Sequence, residues 1–389
     1  MRKYILALAT AWLTSAGAMA GGLDDLLHSV VANNPALRVS REEMRAAGYE
    51  LEEGNTLDAT SVEYSPFFRR GAGGVASSEL IVSQEFDFPT LYAGRGKSIK
   101  LGKESLEKEY GMKVAESLSE ATGLYLNLVY LDKKCKTLSS RLASLRKMEE
   151  LAGKRLEERD ATALDLNRVK LQRMQIETEL AALDAEQASV ENELTLLNGN
   201  LRVEVEREYP AWTLPEGGVK AMVAGDAAVA RSEAEVALAN QEESLARQSW
   251  LPKLTVGYRR NTETDEALNG FVVGASFPLF SAGKRVKSAK ARKAAARIAA
   301  EAEAARAETE MENAFKELDM ARRSLQTFDL PLIAETRRLL DISLEARQIT
   351  LADYLAETTV LDEQLTTYDE LEYEYYRKMS VVYRNNLMK

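Results

Sequence analysis

Among 389 residues the chain carries one cysteine, Cys135, and one histidine, His28. A lone cysteine excludes a disulfide framework and a cysteine-based zinc site, and a lone histidine excludes a His-rich metal site. A hydrolase with a histidine base would have to rely on His28, close to the start of the chain. After the first twenty residues no stretch reaches the roughly 18 consecutive apolar residues of a transmembrane helix. An excess of basic residues is missing too: the formal net charge is −10, against the basic face that nucleic-acid binding requires. No acid, base or metal constellation emerges at useful spacing, so neither an enzyme nor a cofactor is expected.

What is present begins with an export signal. Arg2 and Lys3 form a positive start, a largely apolar run follows from Tyr4 to Ala16, and Ala18-Met19-Ala20 is an A-x-A cleavage site. Cleavage after Ala20 leaves 369 residues and removes two positive charges, taking the mature chain to −12. Cys135 lies too far from that point to be the acylated first residue of a lipoprotein.

Long, charged, proline-free helical sequence dominates the rest. Lys97 to Leu151 holds no proline and little glycine; Lys284 to Thr327 holds neither and is rich in Ala, Glu, Lys and Arg. A helix of about 55–60 residues is roughly 80–90 Å long, so an elongated molecule is expected. Leu180, Leu183, Gln187, Val190, Leu194 and Leu197 step by alternating threes and fours. Leu351, Tyr354, Thr358, Leu361, Leu365 and Tyr368 keep the same rhythm. Each run has one polar break, at Gln187 and Thr358. Coiled-coil seams and ordinary amphipathic core stripes both produce such spacing.

Two short regions depart from the helical pattern. One is a pair of runs near 60–68 and 79–88 around a glycine-rich loop; the other is a pair near 253–260 and 270–280 around a polar loop. Leu80, Val82, Phe86 and Phe88 share one face, as do Phe271, Val273, Ala275 and Phe277 on the other pair. Period-two alternation with one apolar face marks a half-buried strand, and equally the lipid-out, lumen-in pattern of an outer-membrane barrel. Phe67, Phe68, Phe86, Phe88, Trp250, Tyr258, Phe277 and Phe280 cluster in or beside these runs, as aromatics of a membrane interface or of a soluble β core.

The order helix, hairpin, long helix, turn, helix occurs twice. Asn34 answers Asp226 at an offset of 192, Tyr64 answers Tyr258 at 194, Ala93-Gly94-Arg95 answers Ala282-Gly283-Lys284 at 189, and Thr162 with Asp165 answers Thr350 with Asp353 at 188. The chain therefore divides into a signal (1–20), a first repeat (21–205), a linker (206–218) and a second repeat (219–389). Four strands cannot close a barrel, and an open sheet in a bilayer leaves backbone groups unpaired. If the strands span a membrane, several chains must share one barrel, and three chains would give twelve strands.

Trp250-Leu-Pro-Lys-Leu-Thr-Val-Gly-Tyr258, then Val273-Gly-Ala-Ser-Phe-Pro-Leu-Phe-Ser-Ala-Gly-Lys-Arg285 and a long Ala-rich helix, resemble the TolC-like outer-membrane efflux protein family. Asn34-Pro35 after Leu23-Asp-Asp-Leu-Leu27, and Val82-Ser-Gln-Glu-Phe86, resemble the same family's first repeat. The resemblance implies a mainly α protein with a small β part, trimeric, with a twelve-stranded barrel in outer-membrane lipid continued by a periplasmic α-helical barrel. It implies the exit duct of a tripartite efflux pump or type I secretion system, catalysing nothing. Cargo would arrive from an inner-membrane transporter through a periplasmic adaptor. A periplasmic coiled-coil scaffold or adaptor without a pore is the competing reading; it has no need of two aromatic-rich strand pairs.

In the family the periplasmic entrance is narrowed by acids just past the helix turn. Asp353 stands at the matching position, and three copies would form a carboxylate ring. A second family acid falls at Ala356, with Glu357 adjacent, and Asp165 is the first-repeat equivalent. Asp165 and Asp353 are also placed to cap their helices. The turns Arg159–Thr162 and Arg347–Thr350 are the expected adaptor contacts, with arginine where the family often has glycine. His28 and Cys135 are read as structural, the scattered methionines give no sign of copper transport, and Glu301–Glu310 reads as a solvated helix face.

Overall fold

Capping side chains and N-terminal prolines decide where the helices begin. In a computed structural model, residues 22–68, 71, 75–202, 204, 206–214, 218–263, 266–278 and 282–387 are described. Pro35 opens α2 (Pro35–Glu53) directly after α1 (Leu23–Asn33), and Pro89 opens α3 (Pro89–Glu157). Thr162 caps α4 (Ala163–Leu197). After the short α5 (Gly218–Val223), the Asp226 carboxylate accepts from the amides of Ala228 and Val229 at the start of α6 (Ala227–Arg247). The second repeat's long helix is interrupted: α7 (Ala282–Gln326) stops before Asp329, whose side chain accepts from Leu332 N to start α8 (Leu330–Glu345). Pro331 sits in that helix's first turn, where its missing N–H costs nothing. Thr350 caps α9 (Leu351–Tyr383). The 69 residues of α3 make a helix of about 100 Å. No described helix is long and apolar enough to cross a membrane.

The strands are β1 (Ser61–Phe68), β2 (Val75–Phe86), β3 (Lys253–Glu263) and β4 (Glu266–Ser276), in one antiparallel sheet of order β1-β2-β3-β4. Both hairpins run further towards their loops than alternation suggests. The expected polar loop from Arg259 to Gly270 is largely ladder: Arg259 to Glu263 pair with Gly270 back to Glu266. Backbone pairing needs no apolar side chain, so Arg, Asn and Thr extend the strands invisibly to a hydropathy pattern. At its other end β2 stops at Phe86 instead of Phe88. Asp87 turns inward, buried against Arg95 (2.6 Å), while its own amide donates to the Tyr92 hydroxyl.

The described residues form two compact units that cut across the expected repeats. One comprises those of them up to 35, within 116–215 and from 313 on; the other comprises those within 36–115 and 216–312. In the first unit α4 buries Val169, Ile176, Leu183 and Val190, one every seven residues, with Leu194 beside them. That strict heptad column is the coiled-coil reading of this seam. The seam of α9 drifts from its expected course: Leu351, Tyr354 and Thr358 are buried, but Asp362 takes the buried place next to half-buried Leu361. Thr358 is tolerated because its hydroxyl donates to Tyr354 O (2.8 Å). Near the end of α9, Met379 and Val382 pack with Ala314 and Leu318, and Trp212, Phe315 and Tyr375 pack against them. The second unit holds the sheet, α2, α5, α6 and the first stretches of α3 and α7.

Candidate functional site

In the second unit, register sorts the sheet into two chemically different faces. Val62 lies opposite Val82, Val82 opposite Tyr258, and Tyr258 opposite Phe271. The neighbouring row joins Gln84, Val256 and Val273, and a third joins Phe86, Leu254 and Ala275. Tyr64 and Leu80 extend the same face. The four strands thus present a largely apolar surface, interrupted by Ser78, Gln84, Arg260, Thr262 and Asn269, and it is open: Phe271 is 89% exposed and Val273 81%. An apolar patch of this extent on a monomer marks an interaction surface. The opposite face carries Ser61, Glu63, Ser65, Glu79, Ser83, Thr255, Arg259 and Asn261, with Glu79 and Arg259 in an ion pair. Phe67, Ile81, Leu268 and Val272 are apolar exceptions there.

The first unit contains the two helix turns. Arg159 (φ 63°) and Arg347 (φ 57°) both adopt the left-handed conformation that glycine favours. Each follows the same hydrogen-bond plan. Arg159 N donates to Leu156 O (3.1 Å) and Asp160 N to Arg155 O (2.7 Å); Arg347 N donates to Leu344 O (3.2 Å) and Gln348 N to Ser343 O (2.8 Å). This is the Schellman ending of a helix, which satisfies its last carbonyls. Three residues on, Thr162 and Asp165 form a full capping box: Asp165 N donates to Thr162 Oγ1 (3.2 Å) and Thr162 N to Asp165 Oδ2 (3.0 Å). The Thr162 hydroxyl, then its amide, lower the Asp165 pKa below the usual carboxylate value. In the second turn Asp353 N donates to Thr350 Oγ1 (3.1 Å) and the Thr350 hydroxyl donates to Asp353 Oδ2 (2.6 Å).

The turns meet. Arg347 reaches Glu158 (3.2 Å) and Asp160 (3.4 Å), and buried Arg155 donates to Leu344 O (2.8 Å). Asp353 and Glu357 are exposed one helical turn apart, on one face of α9.

No family model matches the chain, and no curated protein matches it. Solved structures do. The outer-membrane channel OprN superposes with a TM-score of 0.75 at 18% identity, covering 93% of this chain and 89% of that one. CusC gives 0.72 at 17%, covering 95% and 92%, and VceC of Vibrio cholerae 0.68 at 16%, covering 94% of each. The fold is that of a TolC-like outer-membrane channel. The resemblance read from the sequence is borne out at the level of fold.

Within this channel fold the aromatic candidates divide. Tyr258 and Phe86 stand on the apolar face, and Tyr258 also donates to Asn269 Oδ1 (2.5 Å); Phe68 sits at a register shift of the β1–β2 ladder, opposite Val75. Phe67 stands on the polar face. Trp250 (63% exposed) and Phe277 (56% exposed) flank the strand ends where the sheet meets the helices, and half-buried Phe88 lies in the link to α3. Phe280 is outside the described residues. Sequence reasoning missed Asp362, buried in the first unit between Arg141 of α3 (2.9 Å) and Arg337 of α8. Only its position beside an apolar seam, with arginines on two other helices, hinted at it. Among the described residues no group of three or more His, Cys, Asp or Glu side chains is arranged to hold a metal ion.

Proposed function

We propose that this chain is one subunit of a homotrimeric outer-membrane duct, the exit of a tripartite efflux pump or type I secretion system. The observation that carries the proposal is the sheet: four strands with one open, largely apolar face, one polar face, and the outer edges of β1 and β4 unpaired within the described residues. Three such sheets joined edge to edge give twelve strands, with the apolar face towards lipid and the Glu79–Arg259 pair towards the lumen. β2, β3 and β4, at 11 or 12 residues, are long enough to span a bilayer when tilted, and β1 has 8 described residues. The turns carrying Arg159, Thr162, Arg347 and Thr350 are the docking points for a periplasmic adaptor. That adaptor couples the duct to an inner-membrane transporter, which supplies both cargo and energy. Asp353, with Glu357 above it, lines the periplasmic mouth.

Purified from membranes, the protein is expected to migrate as an SDS-resistant trimer, stay membrane-bound through a carbonate wash, and conduct ions in planar bilayers. Release by carbonate as a soluble protein without conductance is the result expected of a coiled-coil scaffold, and it would overturn the duct.

A further inference from the structure

Where the sheet meets the helices in the second unit, a cavity of about 390 Å³ opens between the starts of α3 and α7, the end of α6 and the ends of β3 and β4. Its polar lining includes Arg95, Lys253 and Arg285 with one carboxylate, Asp87. Asp87 holds Arg95 (2.6 Å), and Asp58 (2.9 Å) and Glu85 (4.0 Å) hold Lys253, so two of the three cations are neutralised. Arg285 is exposed and has no ion-pair partner among the described residues. The Ser249 hydroxyl, on the same wall, is buried without a hydrogen-bond partner. A buried hydroxyl left unpaired is unfavourable, and a bound acceptor would satisfy it. Leu91, Leu245 and Leu251 give the cavity an apolar side.

The surrounding helices carry further cations. From Pro89 to Lys103, α3 carries Arg95, Lys97, Lys100 and Lys103 and no carboxylate. From Ala282 to Ala300, α7 carries seven cations and no carboxylate. Lys103 and Lys293 are paired, with Glu52 and Glu243. Lys284 and Arg285 stand in the first turn of α7, where a cation opposes the macrodipole and a nearby anion is favoured.

We propose that this cavity binds the phosphodiester headgroup of an anionic phospholipid, with Arg285 and the Ser249 hydroxyl holding the phosphate oxygens and the leucines meeting the start of the acyl chains. The phosphate chemistry alone would also suit free inorganic phosphate. Two features favour lipid: the apolar side of the cavity, and the exposed Trp250 and Phe277 beside Ser249 and Pro278, residue types that gather at membrane–water interfaces. The choice of lipid over free phosphate rests on the outer-membrane reading; the anion site does not.

The full-length protein, purified in a neutral detergent, would be titrated with phosphatidylglycerol, phosphatidylcholine and inorganic phosphate, and bound lipid counted by native mass spectrometry. One phosphatidylglycerol per subunit is expected, with phosphatidylcholine about tenfold weaker. Arg285→Gln should weaken phosphatidylglycerol about tenfold, the loss of one charge-assisted hydrogen bond. Lys287→Gln, on the same helix but outside the cavity lining, should leave binding unchanged. Equal binding of the two lipids, or binding indifferent to Arg285→Gln, overturns the site. Inorganic phosphate bound with phosphatidylglycerol excluded overturns the lipid assignment. Failure of the duct would register in conductance and fractionation, which this measurement does not use.

Discussion

At the residue scale the two turns are built from the same parts, Arg-x-x-Thr-x-x-Asp, placed 188 residues apart. The Thr-x-x-Asp half was legible because a hydroxyl and a carboxylate three residues apart is a helix-start signature. The left-handed arginines were not, since arginine carries no signal for a positive φ; only the repeat and the family resemblance pointed to these positions. Asp362 was illegible for a related reason: a carboxylate on a long charged helix reads as a solvated group until its two arginine partners arrive from other helices. A non-glycine residue in the left-handed region costs about 1–2 kcal/mol, of which glycine gives back part through its freer unfolded chain. Arg159→Gly is therefore expected to stabilise the protein by about 0.5–1 kcal/mol in a urea titration. Arg347→Gly should gain less, because it also removes the contacts to Glu158 and Asp160. Destabilisation by Arg159→Gly would mean that its side chain holds the turn in a way the backbone geometry does not reveal.

Elements were read with uneven success, and the reason is the same on both sides. Helix seams and strand faces that bury apolar side chains leave a periodic trace, so the heptads of α4 and the apolar rows of β2 and β4 were visible. Backbone ladders through Arg259–Glu263 and ion pairs between helices leave none. Glu243 is a case in point: buried on α6, it takes Arg247 from its own helix (2.7 Å) and Lys293 from α7 (2.9 Å). The hydrogen bond from Arg247, then that from Lys293, hold its pKa down at about 2. A carboxylate with a depressed folded pKa contributes stability above its unfolded value, near 4.5, and loses it as the pH falls towards 2. The α6–α7 contact should therefore loosen across that interval, read as rising amide exchange in both helices. Glu243→Gln should remove this part of the pH response; an unchanged acid profile would assign it to other carboxylates.

At the scale of the whole molecule, the matching turns of the two expected repeats are not equivalent. Asp165 is drawn into its capping box by both the hydroxyl and the amide of Thr162, and is half-buried. Among the described residues Asp353 has no reciprocal backbone bond; it stays exposed and has Glu357 a turn further along α9. In the trimer proposed above, the exposed second set is the one expected to face a shared axis, where three copies of each would concentrate negative potential in a narrow opening. This asymmetry makes the gate proposal testable within one protein. In planar bilayers Asp353→Asn should weaken block by a trivalent cation about tenfold or more and reduce the preference for cations. Thr350 still accepts from the amide at 353 in that variant, so the helix start survives and the trimer should form as before. Asp165→Asn should leave the block unchanged while lowering thermal stability by about 0.5–1 kcal/mol through the weakened cap. Equal effects on block from the two variants would remove Asp353 from the mouth of the duct and leave both acids as caps.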